Sequence, residues 1–312
     1  MSKNTRSCGK GLGNVIARDF RINWKLYLLV LPVLLFYIIF CYKPMYGALI
    51  AFKDYTPGKS FFECRWVGLE HFKNFFSSIF FGQVFKNTVV ISLATLAVGF
   101  PMPIILALLI NEVSSKWFAK TVQTISYLPH FISLVIICGL IKDFTASNGI
   151  INDVIAFFGG TRAPLLNNPK LFVPIYVISN VWQEVGWGSI IYIAAIAGID
   201  PSLYEAAQID GAGRWSQMLN VTLPSIMPTI VILLIMGVGN LLNVGFEKIL
   251  LLYNPVIYDT ADVISTYVYR KGIIEYNYSY STAVGLFNSV INFVLLVTTN
   301  YIAKKTTENS LW

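Results

Sequence analysis

The apolar positions of this chain gather into long runs, and six of those runs are each long enough to cross a bilayer. Crossing ~30 Å of hydrocarbon takes roughly 20 helical residues at 1.5 Å rise. The predicted spans cover Trp24–Tyr42, Phe85–Ile110, Val122–Ile141, Phe172–Gly198, Ile226–Phe246 and Ala283–Ala303. Gly99, Pro101 and Pro103 interrupt the second run, and Gly186 and Gly188 interrupt the fourth. Such breaks are tolerated where neighbouring helices re-satisfy the freed backbone groups. The expected fold is an all-α membrane protein, a polytopic helical bundle with about six transmembrane helices.

Composition agrees with that pattern. Hydrophobic residues make up 55% of the 312 residues, charged residues 12%, and the mean hydropathy is +0.63. A soluble domain carries about a quarter charged residues, so the deficit points to a solvent that rejects charge. The net charge of +7 suggests contact with anionic lipid headgroups and not with nucleic acid. Tyrosine and tryptophan are plentiful enough to furnish interfacial belts. The four cysteines, Cys8, Cys41, Cys64 and Cys138, have no C-x-x-C spacing, and His71 and His130 are the two histidines. No metal site is expected from that set. Cys41 and Cys64 could both lie near the outer face and pair, but scattered free thiols are the preferred reading.

Orientation rests on the amino terminus. Lys3, Arg6, Lys10, Arg18, Arg21 and Lys25 surround the single acid Asp19 around the start of the first run, which places that end in the cytoplasm. The run is followed by Tyr42-Lys43-Pro44 with no small-residue cleavage site, so it reads as a retained helix and not a signal peptide. Cys8 has no apolar stretch before it, which argues against a lipoprotein signal. An even number of helices returns Lys304 and Lys305 to the cytoplasm. The 23 lysines and arginines of the whole chain divide almost evenly between the two sides, but long outer loops translocate largely regardless of charge. The expected organisation is a basic segment over residues 1–23, a transmembrane domain over 24–303 and a cytoplasmic tail over 304–312. Lys43–Lys86, Lys142–Lys170 and Glu247–Thr282 are outer segments long enough to hold short helices and form a docking rim.

One inner segment breaks the pattern. Residues 199–225 are polar and alanine-rich, neither a span nor a simple turn. Asp200 is a good N-cap and Pro201 suits the first helical position, while Ser202 and Glu205 offer a capping box in shifted register. Leu203, Ala206 and Ala207 form a small apolar face, and Gly211 allows a sharp turn. A second short helix from about Gly213 would place Trp215, Met218 and Leu219 on one face before Leu223-Pro224 enters the fifth span. A helix-Gly-helix pair with a shallow face suits insertion into a groove on a partner.

Glu205-Ala206-Ala207, three residues, Gly211, nine residues, Val221, one residue, then Leu223-Pro224 resembles the EAA signature of bacterial binding-protein-dependent ABC permeases, with Val221 where isoleucine is usual. The resemblance implies that this loop is a cytoplasmic coupling helix, with Tyr204, Glu205, Ala206, Ala207, Asp210, Gly211, Leu223 and Pro224 docking into an ATPase subunit. Trp66-Val67-Gly68-Leu69-Glu70-His71-Phe72 looks like the first outer loop of maltose-type carbohydrate-uptake permeases. Tyr127-Leu128-Pro129-His130-Phe131-Ile132-Ser133 and Trp182-Gln183-Glu184-Val185-Gly186-Trp187 are similar to the branch importing oligosaccharides. The resemblance further implies a second homologous permease subunit, an ABC ATPase dimer that binds ATP and Mg, an extracellular solute-binding protein and an oligosaccharide substrate. No cofactor is expected in this chain itself, and its place would be the bacterial cell membrane.

Candidate solute contacts are polar residues within the spans. Asn240 and Asn243 are three apart, Asn288 and Asn292 four apart, so each pair is expected on one helical face. Amides can serve sugar hydroxyls or glue helices together; both readings stand for Asn243 and Asn288, and glue is favoured for the others. Glu184 lies ~21 Å along the axis from Gly198, and an intramembrane carboxylate is a functional candidate by default. It could line an access cavity with Trp187 facing a sugar ring, pair with a basic residue of a partner chain, or sit in an outer vestibule. His130 reads as a helix-end residue. Gly58-Lys59-Ser60 lacks the rest of a P-loop, and no catalytic set converges, so an enzyme is not expected. The competing classes are an ion-coupled secondary transporter, which Glu184 would suit, and an ABC permease for amino acids, peptides or metal chelates.

Overall fold

The computed structural model describes residues 12–307 and 310–312; Cys8 and most of the basic amino-terminal segment lie outside them. Regular structure among these residues is helical, apart from one isolated antiparallel bridge between Lys53 and Trp66. Four helices are long and apolar enough to cross a membrane, or six if each of two bent helix pairs counts as one span.

The first helix, α1 (Leu12–Phe36), continues through a wide turn at Tyr37–Tyr42 toward Phe52. The second span joins α2 (Phe81–Gly99) to α3 (Pro101–Glu112), and the chain bends little between them because Phe100 keeps helical angles. Pro101 opens α3, where its missing N–H is one of the orphans of a helix start.

The third predicted span is not one helix. α4 (Lys116–Tyr127) ends in a tight turn at Leu128–Phe131, and α5 (Leu134–Thr145) starts after Ser133. The break falls at Ile132 and Ser133, whose backbone is extended, while Leu128 before Pro129 keeps helical angles and Pro129 sits within the tight turn. The candidate span in this region accordingly runs Leu134–Phe157 instead of Val122–Ile141.

The fourth predicted span is better formed than its glycines suggest. α6 (Pro169–Ala197) is a continuous helix of 29 residues, capped by Asn168 and unbroken at Gly186 and Gly188. Gly186 serves packing: a Cβ there would lie 2.0 Å from the Ser126 carbonyl oxygen of α4. α7 (Pro201–Ile209) then leaves at 70° to α6.

The fifth span is shorter than predicted. α8 (Met227–Gly239) is bent by 58° from the preceding Arg214–Ser225 stretch and stops before Asn240. Asn240 and Asn243 therefore lie in a turn, not on one helical face, and the chain resumes as α9 (Phe246–Leu252). α10 (Tyr278–Thr307) is the last span.

α6 is the centre of the bundle, packing against α2, α3 and α4, while α8 packs along α10. Its inner half joins a core of Ile104, Ala107, Tyr192, Ile196, Met218 and Ile226; its outer half joins one of Ile91, Phe172, Tyr176, Ile249 and Leu252. A third cluster under the outer segments is aromatic, with Phe75 edge-on to Phe81 at 5.0 Å and to Phe287 at 5.6 Å. Edge-to-face pairs of this kind add about 0.5–1.5 kcal/mol each. α1 is the exception: none of its apolar window is buried within the chain. Cys41, Cys64 and Cys138 are free thiols.

Candidate functional site

Two sites hang from α6, one at its Ala197 end, labelled inner, and one near its middle. At the inner end, Asp200 caps α7 by accepting the Ser202 N–H at 2.9 Å. The backbone and side-chain donors of Ser202 hold the Asp200 carboxyl below its usual range. This is the Asp200 start, not the Ser202–Glu205 box. At the other end of α7, Gly211 has φ +78. The Ala212 N–H reaches the Ala207 carbonyl at 2.9 Å and the Gly211 N–H reaches Gln208 at 3.0 Å, the two bonds of a Schellman stop. A Cβ on Gly211 would meet nothing within 4 Å, so backbone strain, not crowding, selects glycine.

No residue of α7 is buried. Tyr204 and Ala207 are half-covered, and Leu203, Glu205, Ala206, Gln208 and Asp210 are exposed. Ile209 is 88% exposed. The exposed face of α7 is therefore Leu203, Glu205, Ala206 and Ile209, with Tyr204 and Ala207 turned toward the bundle. The Tyr204 hydroxyl meets Thr222 Oγ1 at 2.9 Å, and Gln217 donates to the Ala212 carbonyl at 2.7 Å, bracing the two arms of the turn. Arg214 ties this turn to Ser114 of the neighbouring inner loop at 3.1 Å. The expected shared face of Trp215, Met218 and Leu219 is not formed. Met218 enters the inner core with Leu223 beside it, while Trp215, Leu219 and Pro224 are exposed. Met218 and Leu219, adjacent on a helix, point about 100° apart, so one is buried while the other faces out.

Near the middle of α6, Glu184 borders two cavities of about 350 and 620 Å³ that also share Tyr176, Asn180 and Gly245. Ser92, Thr95, Asn240 and Asn243 line the smaller; His130, Gln183, Glu247 and Lys248 line the larger. Ser92 Oγ and Thr95 Oγ1 are buried with no hydrogen-bond partner among the described residues, so hydroxyls with unused capacity lie at the cavity wall.

His130 is more than a helix-end residue. Its Nδ1 lies 2.9 Å from Glu184 Oε2. Its ring stacks on Trp187 at 4.4 Å with the planes 3° apart, and Phe131 meets Trp187 edge-on at 5.5 Å. The tight turn at Leu128–Phe131 and the close approach at Gly186 together deliver His130 to that position. Trp187 remains 44% exposed. Lys248 is 4% exposed and donates to Gln183 Oε1 at 3.2 Å.

The four asparagines form one network. Asn243 Oδ1 accepts from Asn288 and Asn292, each at 3.1 Å, and Asn243 donates to Asn240 at 3.4 Å. Asn292 Oδ1 also accepts the Leu242 N–H at 3.0 Å. The network ties the broken end of α8 to α10, with Asn240 and Asn243 also at the cavity wall. Sequence reasoning missed Ser92, Thr95, Asn180 and Lys248 and undervalued His130. A histidine and a lysine inside largely apolar stretches were the available signals. Among the described residues no group of three or more His, Cys, Asp or Glu is placed to hold a metal ion.

Known proteins share this architecture. The chain is 44% identical over 307 residues to Protein LplB of Bacillus subtilis (strain 168), covering 98% of this chain and 96% of that one. It is 45% identical over 288 residues to the polygalacturonan/rhamnogalacturonan transport system permease protein YteP of the same organism, covering 92% and 90%. A solved chain from a bacterial ABC transporter involved in import of the acidic polysaccharide alginate superposes with TM-score 0.87 at 47% identity, covering 94% of this chain and 99% of that chain. A second structure of a bacterial alginate ABC transporter, in complex with alginate pentasaccharide-bound periplasmic protein, matches equally well. The family model described as binding-protein-dependent transport system inner membrane component matches residues 99–308, and the chain belongs to that family.

Proposed function

We propose that this permease carries oligosaccharides inward through the cavities beside Glu184, driven by an ATPase subunit that grips α7. The observation that carries the reading is mechanical. α6 is one unbroken helix with the exposed α7 beyond its Ala197 end and Glu184 and Trp187 near its middle. A rotation of α7 imposed by an ATPase would be delivered to the cavity wall without passing through a flexible joint. The half-exposed Trp187 ring offers an apolar face of the kind sugar rings stack on, and the surrounding amides and hydroxyls can exchange hydrogen bonds with hydroxyl groups. The importer titles and transport names of the relatives support the same substrate class.

The chain would not hydrolyse ATP itself; ATP and Mg would belong to the ATPase, and solute would arrive on an external binding protein. The second permease subunit is supported by α1, a long apolar helix with no packing in its own chain. Both termini would face the cytoplasm, on the side of α7. Gly211→Arg tests the coupling role: insertion and ATP hydrolysis should persist while uptake in reconstituted vesicles is lost. Undiminished uptake would sink it.

The Glu184–His130 pair is the one observation favouring an ion-coupled transporter, since such pairs also serve proton relays. Uptake that follows an imposed ion gradient and ignores ATP would favour that reading instead.

A further inference from the structure

Lys248 is the anomaly that the oligosaccharide reading leaves unused. Among the described residues two charged side chains are buried, Lys248 at 4% and Asp262 at 3% exposure. Asp262 is fully compensated, receiving two hydrogen bonds from Arg270. Lys248 makes no ion pair among the described residues. Its ammonium has three donors and a single acceptor, Gln183 Oε1, with the Tyr176 ring face 5.6 Å away. Leaving a buried cation without a counter-charge is among the most costly arrangements a protein core can hold. Lys248 is nevertheless placed at the wall of the 620 Å³ cavity.

Two carboxylates share that wall. Glu184 is directed at His130, 2.9 Å away, so its charge is already engaged. Glu247 is exposed and makes no ion pair or hydrogen bond among the described residues. Its field is therefore screened by solvent to an extent that the buried Lys248 is not. The wall thus offers one desolvated cation with free donors, flanked by the amides of Asn180 and Gln183.

We infer that Lys248 is the specificity residue for a carboxylate on the solute, and that the guest class is an acidic oligosaccharide built from uronic acids. A uronate would supply the missing counter-charge to Lys248, while its ring hydroxyls meet the neighbouring amides. The inference rests on the oligosaccharide reading above and deepens it.

The test uses the full importer, with both permeases, the ATPase and the binding protein, reconstituted in vesicles. Uptake is measured for a labelled uronate trisaccharide and for the same trisaccharide with its carboxyls reduced to alcohols. The wild type is compared with Lys248→Met, Lys248→Gln and Lys248→Arg, each verified to co-purify with the ATPase. The two neutral variants should lower the ratio of charged to reduced uptake by about tenfold, the change that ~1.4 kcal/mol gives. Lys248→Arg should hold the ratio within about twofold, since it keeps the charge. The binding protein is common to all, so a changed ratio belongs to the permease. An unchanged ratio in the neutral variants overturns the assignment and leaves the oligosaccharide reading standing. A wild type that imports neither sugar overturns both.

Discussion

The inner end and the middle of α6 are built on opposite plans. The inner end leads into α7, which is bent by 70°, exposes Leu203, Ala206 and Ile209, and is held by a cap at Asp200 and a Schellman stop at Gly211. Its shape is set by its own backbone, and its apolar face has no partner in the chain. The middle is set by tertiary contacts: Gly186 against Ser126, His130 on Trp187 and Glu184, and the asparagine network between α8 and α10. A surface that a partner completes can be locally stable and outwardly unsatisfied. A solute pathway must have its polar groups oriented before the solute arrives. The contrast predicts that damage to the middle spreads through the bundle, whereas damage to the inner end stays local and affects coupling.

The largest effect is expected at Gly186. A methyl group there collides with backbone, not with a flexible side chain, so Gly186→Ala should cost about 3 kcal/mol. Thermal unfolding of the detergent-solubilised chain would register the loss, and a wild-type melting curve would break the proposed dependence of the cavity wall on close α4–α6 packing.

Ile209→Asp should leave that melting curve unchanged and reduce co-purification of the ATPase about tenfold, as expected when ~1.4 kcal/mol of contact is lost. A lowered melting temperature instead would show that α7 is part of the fold's stability and erase the contrast.

Glu184→Gln sharpens the picture of the middle. It keeps the shape and removes the charge, exchanging a charge-assisted hydrogen bond for a neutral one of about half the strength. Uptake should fall about fivefold, with ATPase co-purification intact. Equal loss of both would mean that the two regions cannot be perturbed separately.

The smallest effect is a pH dependence at Asp200. The Ser202 donors hold its carboxyl below the ordinary aspartate range in the folded chain, so its contribution to capping is fully present above that range. It is lost as pH falls through the lower folded value. A spin label at Gln208 should therefore gain mobility only in that acidic range, and Asp200→Asn should remove the transition.

These differences also explain what was legible in the sequence. The handle is written in local chemistry: Asp200-Pro201 starts α7 and Gly211 ends it, as expected from caps and turns. Apolar run length located α1, α6 and α10 for the same reason, since a span answers to the bilayer. Local rules failed where tertiary packing decides. Gly186 and Gly188 read as a break, yet they are contact points in a straight helix. Asn240 and Asn243 were placed on a helix that ends at Gly239. His130 and Lys248 gained meaning from residues more than fifty positions away, Glu184 and Gln183 respectively.

The unpacked α1 bears on how the molecule is made. In water, an apolar helix without a neighbour would drive aggregation; in a bilayer, lipid tails solvate it as well as leucine side chains would. Insertion and association are therefore separable events, and a newly made chain can wait in the membrane without misfolding. Were a second permease subunit to cover α1, close fit during lateral diffusion would select the contact, and the order in which the subunits are synthesised would not matter.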